Sequence, residues 1–371
     1  MQFIGIDLHT NKFTCSYRDE NTPPDAKKGK KTETFDLNEF GINKFIETLE
    51  DESYVLVEAT ITTFAFVRLI KLFVKNVFIA NTYELKQISE ARNNTDKIDA
   101  NILSRTLKAQ VLSGEHMISE VFVPPVDIQE LRGLFSTYQL QKKQTTQTKN
   151  RIHSLLKEQL YGFTQEEIFD KKSRERIRKL QCSAALSFQL NYLLDQLEFI
   201  EEHVELLKEQ ILLQAAPYIK EIEILTSMKG ISTFIAAAII ADVITIDRFK
   251  NSKHFTSYLR SAPKVSKSNT SEKTKGTNKK GRKLASTLIT QSLQHVLDSS
   301  RSLSRWYQDQ TKNKKAGIVR TGLRRTVFTE IYKMLVKGEY HYARDENRHK
   351  VKMSQYRNFL KKKRNFLLEI A

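Results

Sequence analysis

Cysteine is almost missing from this chain of 371 residues: only Cys15 and Cys182 occur, far apart and without a CxxC pair. Neither a disulfide framework nor a zinc site is indicated, and a reducing compartment is expected. The eight histidines show no metal-ligand spacing. Long apolar runs are also absent. The most apolar stretch, Phe234 to Ala241, is too short to span a bilayer, and Met1 leads into a strand-like run instead of a charged and then apolar leader. The expectation is a soluble cytoplasmic protein with no membrane partner.

Acidic residues are outnumbered, 43 against 61 Lys and Arg, which gives a formal net charge of +18 and a pI near 9.6. That balance suits a polyanionic partner better than a small neutral substrate. The excess is uneven: residues 261–290 hold eight Lys or Arg against the single acid Glu272. Towards the C-terminus, Lys361-Lys362-Lys363-Arg364 and interleaved aromatics such as Trp306, Tyr340 and Tyr356 favour nucleic acid. The length allows two or three domains.

Four of the scarce acids stand where strands end or helices begin. Asp7 closes the apolar run Phe3-Ile4-Gly5-Ile6-Asp7, in which Gly5 lets another backbone approach closely. A second run, Phe13 to Tyr17, and a third, Thr32 to Leu37, make the opening a three-stranded meander. Glu58 ends Tyr54-Val55-Leu56-Val57-Glu58, a strand apolar enough to be covered on both faces, where a carboxylate is costly unless paired or metal-bound. After a helical segment from about 62 to 75 comes a further strand, Asn76 to Ala80. Asn93-Asn94-Thr95-Asp96-Lys97-Ile98-Asp99-Ala100 then opens a helix with Asp96 and Asp99 on one face. Helix capping and dipole effects also account for Asp96 and Asp99, and a turn accounts for Asp7, whereas neither accounts for Glu58.

Pro124-Pro125 marks the first boundary, before about a hundred residues of helical pattern. Leu190, Leu193, Leu197, Ile200, Val204, Leu207 and Ile211 recur in steps of three and four, the spacing of a coiled coil or of an ordinary helix pair. The helix before it, from about 128 to 161, loses its apolar stripe around residues 142–146 and offers Arg132, Asn150 and Arg151 to a partner. Thr226 to Ala237 reads as two helices joined at Lys229-Gly230, similar to a helix-hairpin-helix that admits a phosphate, or else a plain packing element. Beyond it lies a Ser/Thr/Lys loop, 263–284, polar enough to be disordered without a partner. Its Lys264, Lys267, Lys275, Lys279, Lys280, Arg282 and Lys283 complete the candidate nucleic-acid contacts, with Lys229 and Gly230.

Gly5-Ile6-Asp7, Val57-Glu58-Ala59 and Asn94 to Ala100, in that order and spacing, resemble the signature of the DEDD insertion-sequence transposases, related to the Piv invertases. The resemblance covers most of the chain and implies an α/β plus α architecture in three parts: a RuvC-like, ribonuclease-H-like DEDD domain at 1–123, a helical coiled-coil region at 124–220, and a mainly helical transposase domain with a helix-hairpin-helix-like element at 221–371. It implies Asp7, Glu58, Asp96 and Asp99 as ligands of Mg²⁺. Pro263, Gly276, Lys279 and Gly281 hold places of the family's C-terminal motif, which selects Ser268 as nucleophile. Asn269 stands where a glycine is usual, an extra residue precedes Gly276, and Arg260-Ser261 replaces a glycine of the preceding turn, so Ser266 and Ser271 stay in play. The partners implied are DNA, a structured bridge RNA, and further copies of the chain in a dimer or tetramer. A RuvC-like nuclease that uses water, and a non-enzymatic nucleic-acid binder with a degenerate site, are the alternatives.

Overall fold

The computed structural model describes all residues except 24–25, 27, 82–95, 116, 118–119, 269–270, 278–280, 299 and 371, and no side chains at 97, 165, 169, 171, 264–268, 271–277 and 364–370. The chain divides into two compact units, Met1–Pro124 and Pro125–Ala371.

The first unit is built on one five-stranded sheet. The expected meander is present as β1 (Gln2–Leu8), β2 (Lys12–Asp19) and β3 (Lys31–Asp36), each antiparallel to the next. Helix α1 (Glu39–Ile46) leads to β4 (Ser53–Glu58), and α2 (Thr63–Ile70) leads to β5 (Asn76–Ala80). β4 runs parallel to β1, and β5 parallel to β4, giving the order β3-β2-β1-β4-β5. Alternation sorts the strands' side chains onto two faces. One packs Ile4, Ile6, Phe13, Cys15, Val55 and Val57 with Phe45 of α1 and Phe66 of α2. The other packs Phe3, Leu56 and Ala80 with Leu103 and Leu107 of α3 (Asp96–Ser113).

Gly5 sets how closely α3 lies on the sheet. A Cβ there would stand 2.2 Å from the Ser104 amide nitrogen and 2.3 Å from the Ala100 carbonyl oxygen. Those are backbone atoms, which a side-chain rotation cannot relieve. Gly5→Ala is therefore expected to push α3 outward, cost about 3 kcal/mol as overpacking does, and displace Asp96 and Asp99 with the helix. Thermal unfolding checks this; a midpoint within about a degree of wild type contradicts it.

Among its described residues the second unit is helical apart from one hairpin. A long pair, α4 (Val126–Glu158) and α7 (Ala184–Gln214), brackets the short α5 (Gln165–Phe169) and α6 (Lys171–Arg178). There follow α8 (Ile219–Thr226), α9 (Thr233–Val243), α10 (Ser252–Tyr258), the antiparallel strands β6 (Pro263–Ser268) and β7 (Ser271–Thr277), α11 (Leu284–Leu297), α12 (Arg301–Asn313), α13 (Ala316–Lys337) and α14 (Glu346–Ile370). On α7 the stripe buries Leu190, Leu194, Leu197, Ile200, Val204 and Ile211, and it packs along α4 in the same chain. The polar middle of α4 is partly interior: Thr145, Thr148 and Lys149 are buried, and Glu201 of α7 receives both Lys149 (2.7 Å) and Arg174 (2.7 Å). A carboxylate shared by two buried cations explains why this helix forgoes apolar residues there. A second core joins Ile128, Leu131, Phe135 and Ile211 to α8–α11, α13 and the start of α14. Among the described residues no helix is long and apolar enough to cross a membrane.

Candidate active site

Asp7 lies one residue before the end of β1, on the face covered by α3, and is 6 % exposed. Asp96 is the first residue of α3 and Asp99 follows on the next turn. Between them sits His9: its Nε2 is 3.1 Å from Asp7 Oδ2 and 3.3 Å from Asp96 Oδ1. One ligand atom from each of Asp7, His9 and Asp96 falls within 4.8 Å of the others. Burial pushes the Asp7 carboxyl up to about 6 against the pull of His9, and the negative charges of Asp99 and Asp96 add to the rise. Partial burial, then Asp96, raise Asp99 as well.

Glu58 ends β4 on the strand next to β1. The parallel register pairs Ile6 with Val57, so Asp7 and Glu58 occupy the next positions and share a sheet face. Thr63 donates its hydroxyl to the Glu58 carbonyl at 2.7 Å, fixing the turn into α2. The Glu58 carboxylate stands outside the tight group around His9. Residues 93–95 of the motif lie outside the described residues.

Carboxylate oxygens and an imidazole nitrogen converging on one point are donors for a divalent cation, and a buried carboxylate crowded by like charges gains from one. The donor set fits such an ion. Histidine spacing along the sequence did not reveal His9, because its partners are carboxylates, one of them brought by α3. Its place two residues after Asp7 was the available signal.

In the second unit, the segment read as a loop is a hairpin. Its Ser, Thr and Val residues suit extended backbone, and pairing between two strands needs no apolar face. Ser268 is the last residue of β6 and pairs with Ser271, the first of β7; Ser266 pairs with Lys273. Asn269 and Thr270, between them, lie outside the described residues, as do Lys279 and Lys280 and the side chains of Lys264, Lys267 and Lys275.

The root of this hairpin is held from several sides. Arg260 has φ +52°, the left-handed conformation that glycine adopts freely, and it stands where the resembled motif has a glycine. Its Nε donates to the Gly281 carbonyl at 2.7 Å, and its own carbonyl accepts from Arg324 Nη2 at 3.0 Å. Gly281, at φ +100°, lies so close to the Tyr258 carbonyl that a Cβ would stand 2.1 Å from it. Arg282 Nε donates to Asp242 Oδ1 at 3.0 Å, and Asp242 Oδ2 accepts the Ala285 amide at 2.8 Å in the first turn of α11. Burial raises the Asp242 carboxyl, opposed by Arg282. Arg132 donates to the carbonyls of Ala241 (2.6 Å) and Asp242 (3.2 Å), so these donors of Arg132 and Arg282 are used within the fold. Sequence reading missed Asp242 and Arg324. An acid just after the apolar run Phe234 to Ala241 was the one clue.

The remaining candidates are spread out. Asn150 and Arg151 are exposed on α4, with Arg151 3.8 Å from Glu158. Lys229 is half-buried in the turn between α8 and α9, where Gly230 packs under Val296. Ser232 caps α9 by accepting the Ile235 amide, and Lys352 donates to the carbonyls of Thr226 and Ile231. Lys283 is exposed before α11.

Residues 4–160, which include all four acids, match a DEDD transposase model of the IS110 group. Residues 222–308, which include the hairpin, match the model of the transposase IS116/IS110/IS902 family. No curated protein matches the chain.

Proposed function

Because the chain belongs to the DEDD-type insertion-sequence transposases of the IS116/IS110/IS902 family, and is thereby an enzyme of DNA transposition and recombination that binds DNA, we propose that it cleaves and rejoins DNA through a covalent phosphoserine link. Ser268 is the proposed nucleophile, with Asp7, Glu58, Asp96 and Asp99 holding Mg²⁺. The convergence of Asp7 and Asp96 on one point, with Asp99 coupled to both, carries this reading. The strand order β3-β2-β1-β4-β5 supports a RuvC-like, ribonuclease-H-like domain around it.

In the proposed reaction the Ser268 hydroxyl attacks the scissile phosphorus. The Oγ–P bond forms as the bond to the 3′ oxygen breaks, and the serine proton passes through solvent to the 3′ oxygen, which leaves as a hydroxyl. The resulting 5′-phosphoserine ester keeps the bond energy for rejoining. Asp7, Glu58, Asp96 and Asp99 would hold a divalent ion, which would supply charge neutralisation for the phosphate. His9 orients Asp7 and Asp96 by sitting against both. Arg260, Arg282, Arg324 and Asp242 fix the root of the hairpin that carries the serine.

The sequence choice is proposed to come from a bridge RNA that pairs with donor and target DNA, leaving the protein to read backbone and shape, in a dimer or tetramer. The net charge of +18 gives unspecific affinity for any nucleic acid, so the test is competitive. The purified protein, challenged at raised salt with RNA transcribed from beside its gene and with unrelated RNA of equal length, is expected to retain the former at least about tenfold better. Salt weakens unspecific phosphate contacts first. Equal retention of both removes the guide RNA from the proposal and leaves the DNA chemistry untouched.

A further inference from the structure

The sheet face that carries Asp7 lies under α3, and it is apolar where Phe3, Leu56 and Ala80 meet Leu103 and Leu107. On β2 it turns polar: Thr14, Ser16 and Arg18 alternate with Cys15 and Tyr17, which are buried on the opposite face. Thr32 of β3 pairs with Ser16 and extends the polar surface outward. Helix α3 presents a stripe towards it, since Ile98, Asn101, Ile102 and Arg105 recur at helical spacing beside the face bearing Asp96 and Asp99. Between strand and stripe lies a cavity of about 530 Å³, floored by Arg18 and Thr32 and rimmed by Lys28 and Arg105.

Arg18 lacks what a buried cation ordinarily has. It is 2 % exposed, donates from Nε to the Ser104 hydroxyl (3.1 Å) and from Nη2 to the Ala26 carbonyl (3.0 Å), and meets no carboxylate among the described residues. Its charged neighbour is Arg105, and burial together with that like charge lowers its pKa. Arg105 and Lys28 are exposed, and neither forms an ion pair among the described residues. Three cations thus converge on an open cavity, and among the described residues no carboxylate pairs with them. A buried charge of this kind is costly until an anion pairs with it, and the Arg18 donors outside the bonds to Ser104 and Ala26, with the exposed Arg105 and Lys28, are of the kind a phosphate accepts. The volume lies within the roughly 300–1,000 Å³ of cavities that hold organic ligands, large enough for a nucleotide of a longer strand.

We propose that this cavity is a phosphodiester-binding track, in which Arg18, Arg105 and Lys28 hold the backbone of a nucleic-acid strand alongside the acidic group of the same unit. The inference rests on the chain acting on nucleic acid and does not depend on the serine chemistry. DNA and RNA present the same phosphodiester, and the test separates them.

The full-length protein is titrated, without divalent metal so that nothing is cleaved, with fluorescent single-stranded DNA and single-stranded RNA over a range of salt. The Lys28→Ala/Arg105→Ala variant removes two exposed side chains and leaves the core intact. It is expected to bind about tenfold more weakly, as removal of charge-assisted hydrogen bonds does, and its salt slope is expected to shrink by about 0.7 for each phosphate no longer neutralised. Arg18→Gln tests the floor of the cavity once its circular dichroism matches wild type. Lys44→Ala/Lys71→Ala makes the same charge change on α1 and just after α2, the helices covering the opposite sheet face, and is expected to bind like wild type. Loss confined to DNA assigns the track to the substrate, loss confined to RNA assigns it to a guide, and loss of both assigns it to a shared backbone grip. Unchanged affinity and slope in Lys28→Ala/Arg105→Ala, or an equal loss in the control, overturns the proposal. Because no cleavage is read, failure of the phosphoserine mechanism leaves this result unaffected.

Discussion

Ser268→Ala is expected to abolish a protein–DNA adduct that survives denaturation, with cleavage falling about 10⁴-fold or more, as loss of a nucleophile does, while DNA binding persists. A serine hydroxyl attacks poorly until a base, a metal or a cationic setting activates it, and alanine has no oxygen to attack with at all. Ser268 and Ser271 are paired by the backbone register at the end of the hairpin, with Ser266 two residues behind. Labelled DNA carrying the cleavage site, run on a denaturing gel after incubation with each of the three alanine variants, separates them. Adduct in Ser268→Ala but none in Ser271→Ala or Ser266→Ala moves the nucleophile within the hairpin. Free ends without adduct in the wild type replace serine chemistry with attack by water, the RuvC-like alternative.

What the sequence made legible follows from how each feature is encoded. Strand β1 is apolar up to an acid, and the strands around it show period-two or continuous apolar patterns, so the meander and both parallel strands were readable from local runs. Gly5 announced a close approach, and the Ser104 and Ala100 backbone atoms make it. Asp96 and Asp99 were readable because a three-residue step places them on one helix face. The hairpin was not: Pro263 to Thr277 is too polar to look like a strand, although its backbone pairs in antiparallel register. The clamp of Asp242 on Arg282 joins residues on different elements, and no local pattern encodes such a pair. Arg18 escaped notice for a related reason. Alternation places it on the face that α3 adjoins, but its lack of a carboxylate partner among the described residues is a property of the packed unit. The α7 stripe was read in steps of three and four, yet Leu194 is buried where Leu193 is partly exposed. A seven-residue repeat and a 3.6-residue helix drift apart, and packing on α4 decides which leucine turns inward.

Asp7→Asn is expected to remove metal-dependent cleavage by about three orders of magnitude or more, the scale at which a principal electrostatic element of a site is lost, and to make the metal-free protein more stable. The second effect distinguishes a site from a scaffold. Burial lifts the Asp7 carboxyl to about 6, and Asp99 and Asp96 add to it. A raised carboxyl binds its proton more tightly folded than unfolded, so folding stability falls as the pH rises from about 4 to about 6 and stays lowered above that. Asparagine keeps the shape without the charge and relieves this cost. A cation bound at the acids relieves it in the wild type, and at a hundredfold excess over its Kd would add about 2.7 kcal/mol. The Mg²⁺-dependent rise in melting temperature is therefore expected in wild type at pH 7.5, to shrink as the pH drops through 6 because metal and proton compete for Asp7, and to vanish in Asp7→Asn. Glu58→Gln is expected to lose cleavage as fully. It should keep part of the thermal response to Mg²⁺, since its carboxylate stands outside the group of Asp7, His9 and Asp96. Calorimetric scans of the three proteins with and without Mg²⁺, beside cleavage assays of the same samples, decide the matter. Normal cleavage by Asp7→Asn removes the acids from the chemistry, and an unchanged Mg²⁺ response in that variant places the ion elsewhere.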